Sequence, residues 1–336
     1  MKNLLFTLNA ILPIVLPILL GFLLQKIKMF DKDFFTKVNK FAFKILIPIS
    51  LFKSLYTADI KTINVKFLIA ALVALLVLFV IGMVIVTLFV PDKKQKGVIH
   101  QVLFRSNYAI IGIPLATALA GPEAEAQASI IAAISVPTFN ILAVIALSMY
   151  DHEDGQKVSI KSILKKIVTN PLIIGVFAGL LVIGIRAIVS ACGGNGNIDV
   201  DSMDNYSMGY FAVKTISNLA ACATPMVLVA LGGKFEFSAV SKLWKQITFS
   251  TITRLFVVPA VMIVIFYFLG FNSAIYVSIL IALFATPVAV SSAPMAEEMG
   301  QDGELAGQLV VWTSVGSAIS LFIIIMICSS IGIFAA

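Results

Sequence analysis

The chain has 336 residues, of which 60% are hydrophobic and only 12% charged, where soluble domains carry about 25% charged residues. A mean hydropathy of +1.04 excludes a water-soluble fold of this length. The net charge of +7 lies in short loops between apolar runs, which argues against nucleic-acid binding and for orientation in a lipid bilayer.

Uncharged runs cover 3–25, 67–91, 106–122, 126–150, 167–185, 215–233, 255–296 and 305–336. A bilayer span needs roughly 20 apolar residues. The pattern predicts ten spans, at about 4–25, 34–56, 66–90, 101–120, 126–149, 168–188, 208–232, 246–269, 273–295 and 303–333. The first contains Pro13 and Pro17 and has no small-residue cleavage site, so it reads as a span and not as a removable leader. The second opens with Lys37, Lys40 and Lys44 on one helical stripe. These can snorkel, or mark a helix lying on the surface, while the run 45–52 continues inward. The run 255–296 is 42 residues, roughly 63 Å as a helix, so it must hold two spans joined at Gly270-Phe271-Asn272-Ser273.

Lys and Arg set the orientation. The loops after spans 1, 3, 5 and 7 are basic (Lys26, Lys28, Lys32; Lys93, Lys94, Lys96; Lys157, Lys161, Lys165, Lys166; Lys234, Lys242, Lys245), and the alternate loops are poor in basic residues. Odd-numbered loops are therefore expected to be cytoplasmic, with both termini outside. The loop after span 9 departs from this, with Glu297, Glu298, Asp302 and Glu304. Cys192, Cys222 and Cys328 lie far apart, and His100 and His152 fall in separate loops, so neither a metal site nor a disulfide framework is expected.

Proline and glycine landmarks recur in the same order in each half. Pro17 with Gly21 matches Pro171 with Gly175, Pro48 matches Pro225, Pro114 matches Pro287, and Gly121 with Glu125 matches Gly300 with Glu304. Five spans per copy require the second copy to be inverted, the sequence mark of secondary transporters. The expected architecture is all-α: a first five-helix repeat over 1–150, a linker at 151–167, and an inverted repeat over 168–336.

Spans 4 and 9 hold the candidate site. Span 4 carries Arg105, Asn107, Tyr108, Gly112, Ile113 and Pro114. Span 9 carries Ala285, Thr286, Pro287, Val288, Ser291, Ser292 and Pro294. Proline removes a backbone donor and clashes with the carbonyl four residues back. In hydrocarbon such a break persists only beside protein or a water-filled cavity. A half-helix beginning at each proline would aim free N–H groups at that cavity and suit a carboxylate, although both prolines could simply be kinks. Arg105 could attract anions or anchor the helix at the lipid interface. Arg254, deep in span 8, could touch substrate, snorkel, or pair with Glu297 or Glu298. No acidic residue stands out in mid-span, so a coupling ion, H+ or Na+, stays open.

The stretch Asn107-Tyr-Ala-Ile-Ile-Gly-Ile-Pro114-Leu resembles the fourth-span motif of the auxin efflux carrier family, which includes bacterial malate and organic-anion permeases. The segments 46–52 with Pro48, 224–232 with Pro225, and 285–292 with Glu304 resemble its second, seventh, ninth and tenth spans. The resemblance implies two broken helices crossing at mid-membrane around an organic anion, with Pro48 and Pro225 expected among the substrate-binding residues. It further implies a scaffold of spans 1, 2, 6 and 7 and a transport domain of spans 3–5 and 8–10. The chain is expected to be a non-enzymatic, multi-pass carrier of the cell membrane moving a small carboxylate such as malate. A sodium-coupled bile-acid-type carrier is the alternative, and a homodimer stays open.

Overall fold

The computed structural model describes residues 2–56, 64–150, 160–192 and 207–334. His152, Lys157 and the inserted loop at 193–206 lie outside the described residues. With no water in hydrocarbon, each backbone amide must find its partner within the protein, and the described residues are helical almost throughout. α1 (Lys2–Lys26) is followed by α2 (Lys32–Phe41), capped where the Phe34 amide donates to Asp31 Oδ1 at 2.8 Å. A wide turn at Ala42–Leu46 carries α2 directly into α3 (Ile47–Tyr56). The lysine stripe thus forms the entrance of one continuous segment.

α4 (Val65–Phe89) presents Val65, Ile69, Val73, Val77, Val80, Val84 and Leu88 outward along one face, a stripe that suits lipid. α5 (Lys93–Phe104) begins earlier than the expected span because Asp92 caps it, so Lys93, Lys94 and Lys96 stand in its first turn and not in a loop. After a non-helical step at 105–107 the chain resumes through Tyr108–Gly112 into α6 (Ile113–Met149). Helical geometry fails inside α6 at Ala120 (φ −140°) and Gly121 (φ 78°), which separates the two expected spans. α7 (Ile160–Thr169) occupies part of the expected linker, followed by α8 (Pro171–Ala191) and α9 (Met208–Lys234). α10 (Phe237–Ile252) passes through a wide turn, Thr253–Val257, into α11 (Val258–Phe268). α12 (Ala274–Phe284) stops at a non-helical stretch, 285–291, before the short α13 (Ser292–Glu298), which carries Glu297 and Glu298. α14 (Gly303–Ser330) closes the chain.

Among the described residues, six helical stretches are long and apolar enough to cross a membrane: Val65–Phe89, Tyr108–Met149, Pro171–Ser190, Gly209–Lys234, Val240–Phe268 and Gly303–Ser330. Val15–Lys26 and Ala274–Phe284 are apolar but shorter.

The three wide turns share a cause. Each ends two residues before a proline: Ala42–Leu46 before Pro48, Tyr108–Gly112 before Pro114, Thr253–Val257 before Pro259. The ring clashes with the carbonyl four residues back, which is the middle residue of the turn each time, and the lost bond is made good by an extra residue per turn. Pro114 therefore widens its helix and does not break it. Pro13, Pro17, Pro137 and Pro225 sit inside helices without such a turn.

Two sets of helices pack mainly among themselves. α1 lies on α9, and α3 lies on both α8 and α9. α12 lies on α6, α4 on α5, and α10 and α13 on α14. Glycine permits the closest approaches. A Cβ on Gly21 would sit 1.9 Å from the Val229 carbonyl oxygen, one on Gly232 1.9 Å from that of Ile18, and one on Gly175 2.4 Å from that of Pro48. Pro48 thus serves helix packing, and Pro225 is exposed on α9.

Candidate functional site: a crossing of two interrupted helices

α5 and α12 both end where the two non-helical segments meet. Ser106 and Val288 form an isolated antiparallel bridge, and the Asn107 amide donates to the Pro287 carbonyl at 2.8 Å. The Gln101 side chain donates to the Ser292 carbonyl at 3.3 Å, and the Val288 amide to Thr313 Oγ1 at 3.3 Å. The interruption at 105–107 contains no proline. It is held open by pairing with 287–288, which satisfies amides the helix would otherwise have used.

Beside the crossing lies a cavity of about 100 Å³, lined by Arg105, Ser106, Asn107, Tyr108, Ala109 and Ile110 from one segment and Ala289, Val290 and Ser291 from the other. Asn140 of α6, Ser50 of α3 and Thr224 of α9 supply further polar groups. Tyr108, Ala109 and Ile110 form the first turn after the interruption, where amides have no partner within the helix.

Arg105 dominates the cavity. It is 2% exposed, which excludes an anchor at the lipid interface. Its guanidinium donates to Gln101 Oε1 at 3.2 Å, Asn140 Oδ1 at 2.9 Å, Ser291 Oγ at 2.8 Å and Met295 Sδ at 3.0 Å. All of these are neutral, and among the described residues no carboxylate pairs with it. Asn107, 4% exposed, has its side-chain Nδ2 without a hydrogen-bond partner.

Apart from Tyr108 and Ser291, the other expected site residues lie around the cavity and not on it. Tyr108 lines the cavity, yet its hydroxyl points away to the Ala128 carbonyl at 3.0 Å. Gly112 allows close contact with Ala282 of α12. Ile113 is half-buried and Pro114 exposed on α6. Ala285 belongs to a core cluster with Leu115 and Val277. The Thr286 hydroxyl is spent on the Ala282 carbonyl at 2.9 Å. Pro287 and Val288 contribute backbone to the pairing, and Ser292 is buried behind it. Arg254 is fully buried and touches neither glutamate: its guanidinium donates to the Thr286 carbonyl. Glu297 instead meets Lys234 and Asn39, and Glu298 lies 3.6 Å from Lys44.

Asn140 escapes a charge-based reading because it sits alone in an uncharged run. Its being the single asparagine of an uncharged span is the available signal.

Interrupted helices that pair at mid-segment, set among long apolar helices with lipid-suited faces, are those of a multi-pass membrane transporter. The sequence matches the membrane transport protein family over residues 6–325, and the chain belongs to that family, the one that contains the auxin efflux carriers. No curated protein matches it.

Proposed function

We propose that this transporter moves a small organic anion, a carboxylate or dicarboxylate such as malate, and binds it in the cavity at the crossing. The observation that carries this reading is Arg105: a full positive charge buried among neutral partners. An uncompensated buried ion costs several kcal/mol, and an anion beside it offsets that cost. Asn107 Nδ2 and the first-turn amides of 108–110 supply further donors on the same cavity. The cavity volume of about 100 Å³ suits a small acid. A bile-acid-sized ligand would need a pocket of roughly 300–1,000 Å³.

The chain reads best as ten spans in two inverted copies. Gly121 (φ 78°) and Gly300 (φ 74°) both adopt left-handed geometry before a long helix. Gly21 seats α1 against α9, while Gly175 seats α8 against α3. These favour a register in which Pro294, 180 residues from Pro114, is its counterpart in place of Pro287, since the two glycines are 179 apart. α1–α3, α8 and α9 would form the scaffold, and α4–α6 with α10–α14 the moving domain. The positive-inside tendency of the basic loops supports a cytoplasmic position for the face that carries them, in a cell-membrane protein with its termini outside.

Alternating access then requires the contacts between the two sets to break and reform. On the basic face, Lys234 and Asn39 hold Glu297, and Lys44 approaches Glu298, joining scaffold helices to α13. Glu297→Gln is expected to favour opening on that face. A cysteine placed at Ala293, in a background without the native cysteines, should react faster with a membrane-impermeant thiol reagent when Glu297→Gln is present. An unchanged rate would show that these pairs do not hold the face shut.

Asn107→Ala is expected to weaken carboxylate binding by roughly 5- to 100-fold, the effect of losing one or two kcal/mol-scale hydrogen bonds to a charged group. Thr286→Val should leave binding nearly unchanged, because the hydroxyl serves only its own helix. Calorimetric titration of both variants checks this contrast. The function itself is tested by uptake of labelled malate, malonate and lactate into liposomes holding the purified protein. Accumulation above empty liposomes is expected for at least one acid, and none for any of them would refute the proposal.

A further inference from the structure

Two arginines are buried at the crossing, and only Arg105 lines the cavity. Arg254 projects from the wide turn that Pro259 imposes between α10 and α11. Its Nε and Nη2 donate to the Thr286 carbonyl at 3.0 and 2.9 Å, and its Nη1 to the Leu103 carbonyl at 3.5 Å. Leu103 lies in the last turn of α5, and Thr286 lies just past the end of α12. The guanidinium therefore spans the C-terminal ends of both half-helices. Each such end carries about −0.5 of a charge, so the two together match one cation. In secondary transporters of interrupted-helix build, these ends and their unwound carbonyls are where a coupling sodium is held.

We propose that Arg254 is a tethered cation occupying that position, so that the crossing takes no sodium and the anion moves without it. This rests on the reading of the crossing as an anion carrier. The carbonyl oxygens around which a sodium shell would be built, those of Thr286 and Leu103, already accept from the guanidinium. Arg254 is a positioning residue here. It acts on the substrate by fixing the two ends whose continuations form the cavity.

The test is thermal unfolding of the purified full chain in sodium chloride and in choline chloride, without substrate, for wild type and Arg254→Ala, the latter also with millimolar methylguanidinium. Malate uptake is then measured for wild type in both salts. Wild type is expected to unfold at the same temperature and to transport at the same rate in the two salts. Arg254→Ala is expected to unfold several degrees lower in choline and to regain part of the loss with methylguanidinium or sodium, since a ligand that binds the folded state stabilises it. Sodium-dependent stability or uptake in wild type would overturn the proposal, as would an alanine variant as stable as wild type and indifferent to added cations. Should the alanine variant not survive purification, wild type alone decides through its response to sodium. If no carboxylate is transported in either salt, the carrier reading falls, while the substrate-free melting still judges Arg254.

Discussion

Replacing Arg105 by methionine is expected to lower carboxylate affinity by about 30-fold or more, because truncating one partner of a buried charge pair costs roughly 2–5 kcal/mol. The side chain makes four contacts and all are to neutral groups, so its positive charge is free to act on a ligand in the cavity it lines. Arg105→Lys should fall between, since lysine keeps the charge but not the planar fork that meets a carboxylate through two parallel bonds. The cost to folding should be small by comparison, because the methionine variant no longer buries an unpaired charge. Calorimetric titration and thermal unfolding of the same preparations separate these outcomes. Loss of stability without loss of affinity would assign Arg105 to the fold and not to the ligand.

The second large effect is expected at the contact of α1 with α9. Gly21→Ala with Gly232→Ala should destabilise the protein by several degrees, since each new methyl would meet a backbone carbonyl oxygen at 1.9 Å and neither carbonyl can swing aside as a side chain would. Overpacking of this kind costs about 1–3 kcal/mol per site. Gly184→Ala in α8 is the control, because nothing lies within 4 Å of its added carbon. That variant should unfold at the wild-type temperature or slightly above, alanine being the better helix former. If the double variant unfolded with the control, the two helices would not be in the contact described.

Much of this was legible in the sequence because hydrocarbon leaves few choices. Uncharged runs became helices, and the segments around Asn107 and 286–291 became the interruptions. What failed was the assignment of cause. Pro48, Pro114 and Pro259 widen turns, while the interruption at 105–107 exists because its backbone pairs with 287–288, about half the chain away in sequence. A tertiary partner of that kind leaves no local mark. Arg254 illustrates the same limit: its partners are carbonyl oxygens, which every residue possesses, so no letter in the sequence could reveal them. Arg105 was visible as a charge near a span but not as a cavity wall, because its depth depends on where α5 begins, and Asp92 sets that start earlier than the apolar run does.

The claim that the crossing holds a small acid by its charge is tested most directly by titrating the purified protein with malonate and with malonamide. The two share a carbon skeleton and differ in charge. Malonate is expected to bind saturably and malonamide not at all. Equal binding of both, or of neither malonate nor any other small carboxylate, would contradict a site built around the Arg105 guanidinium.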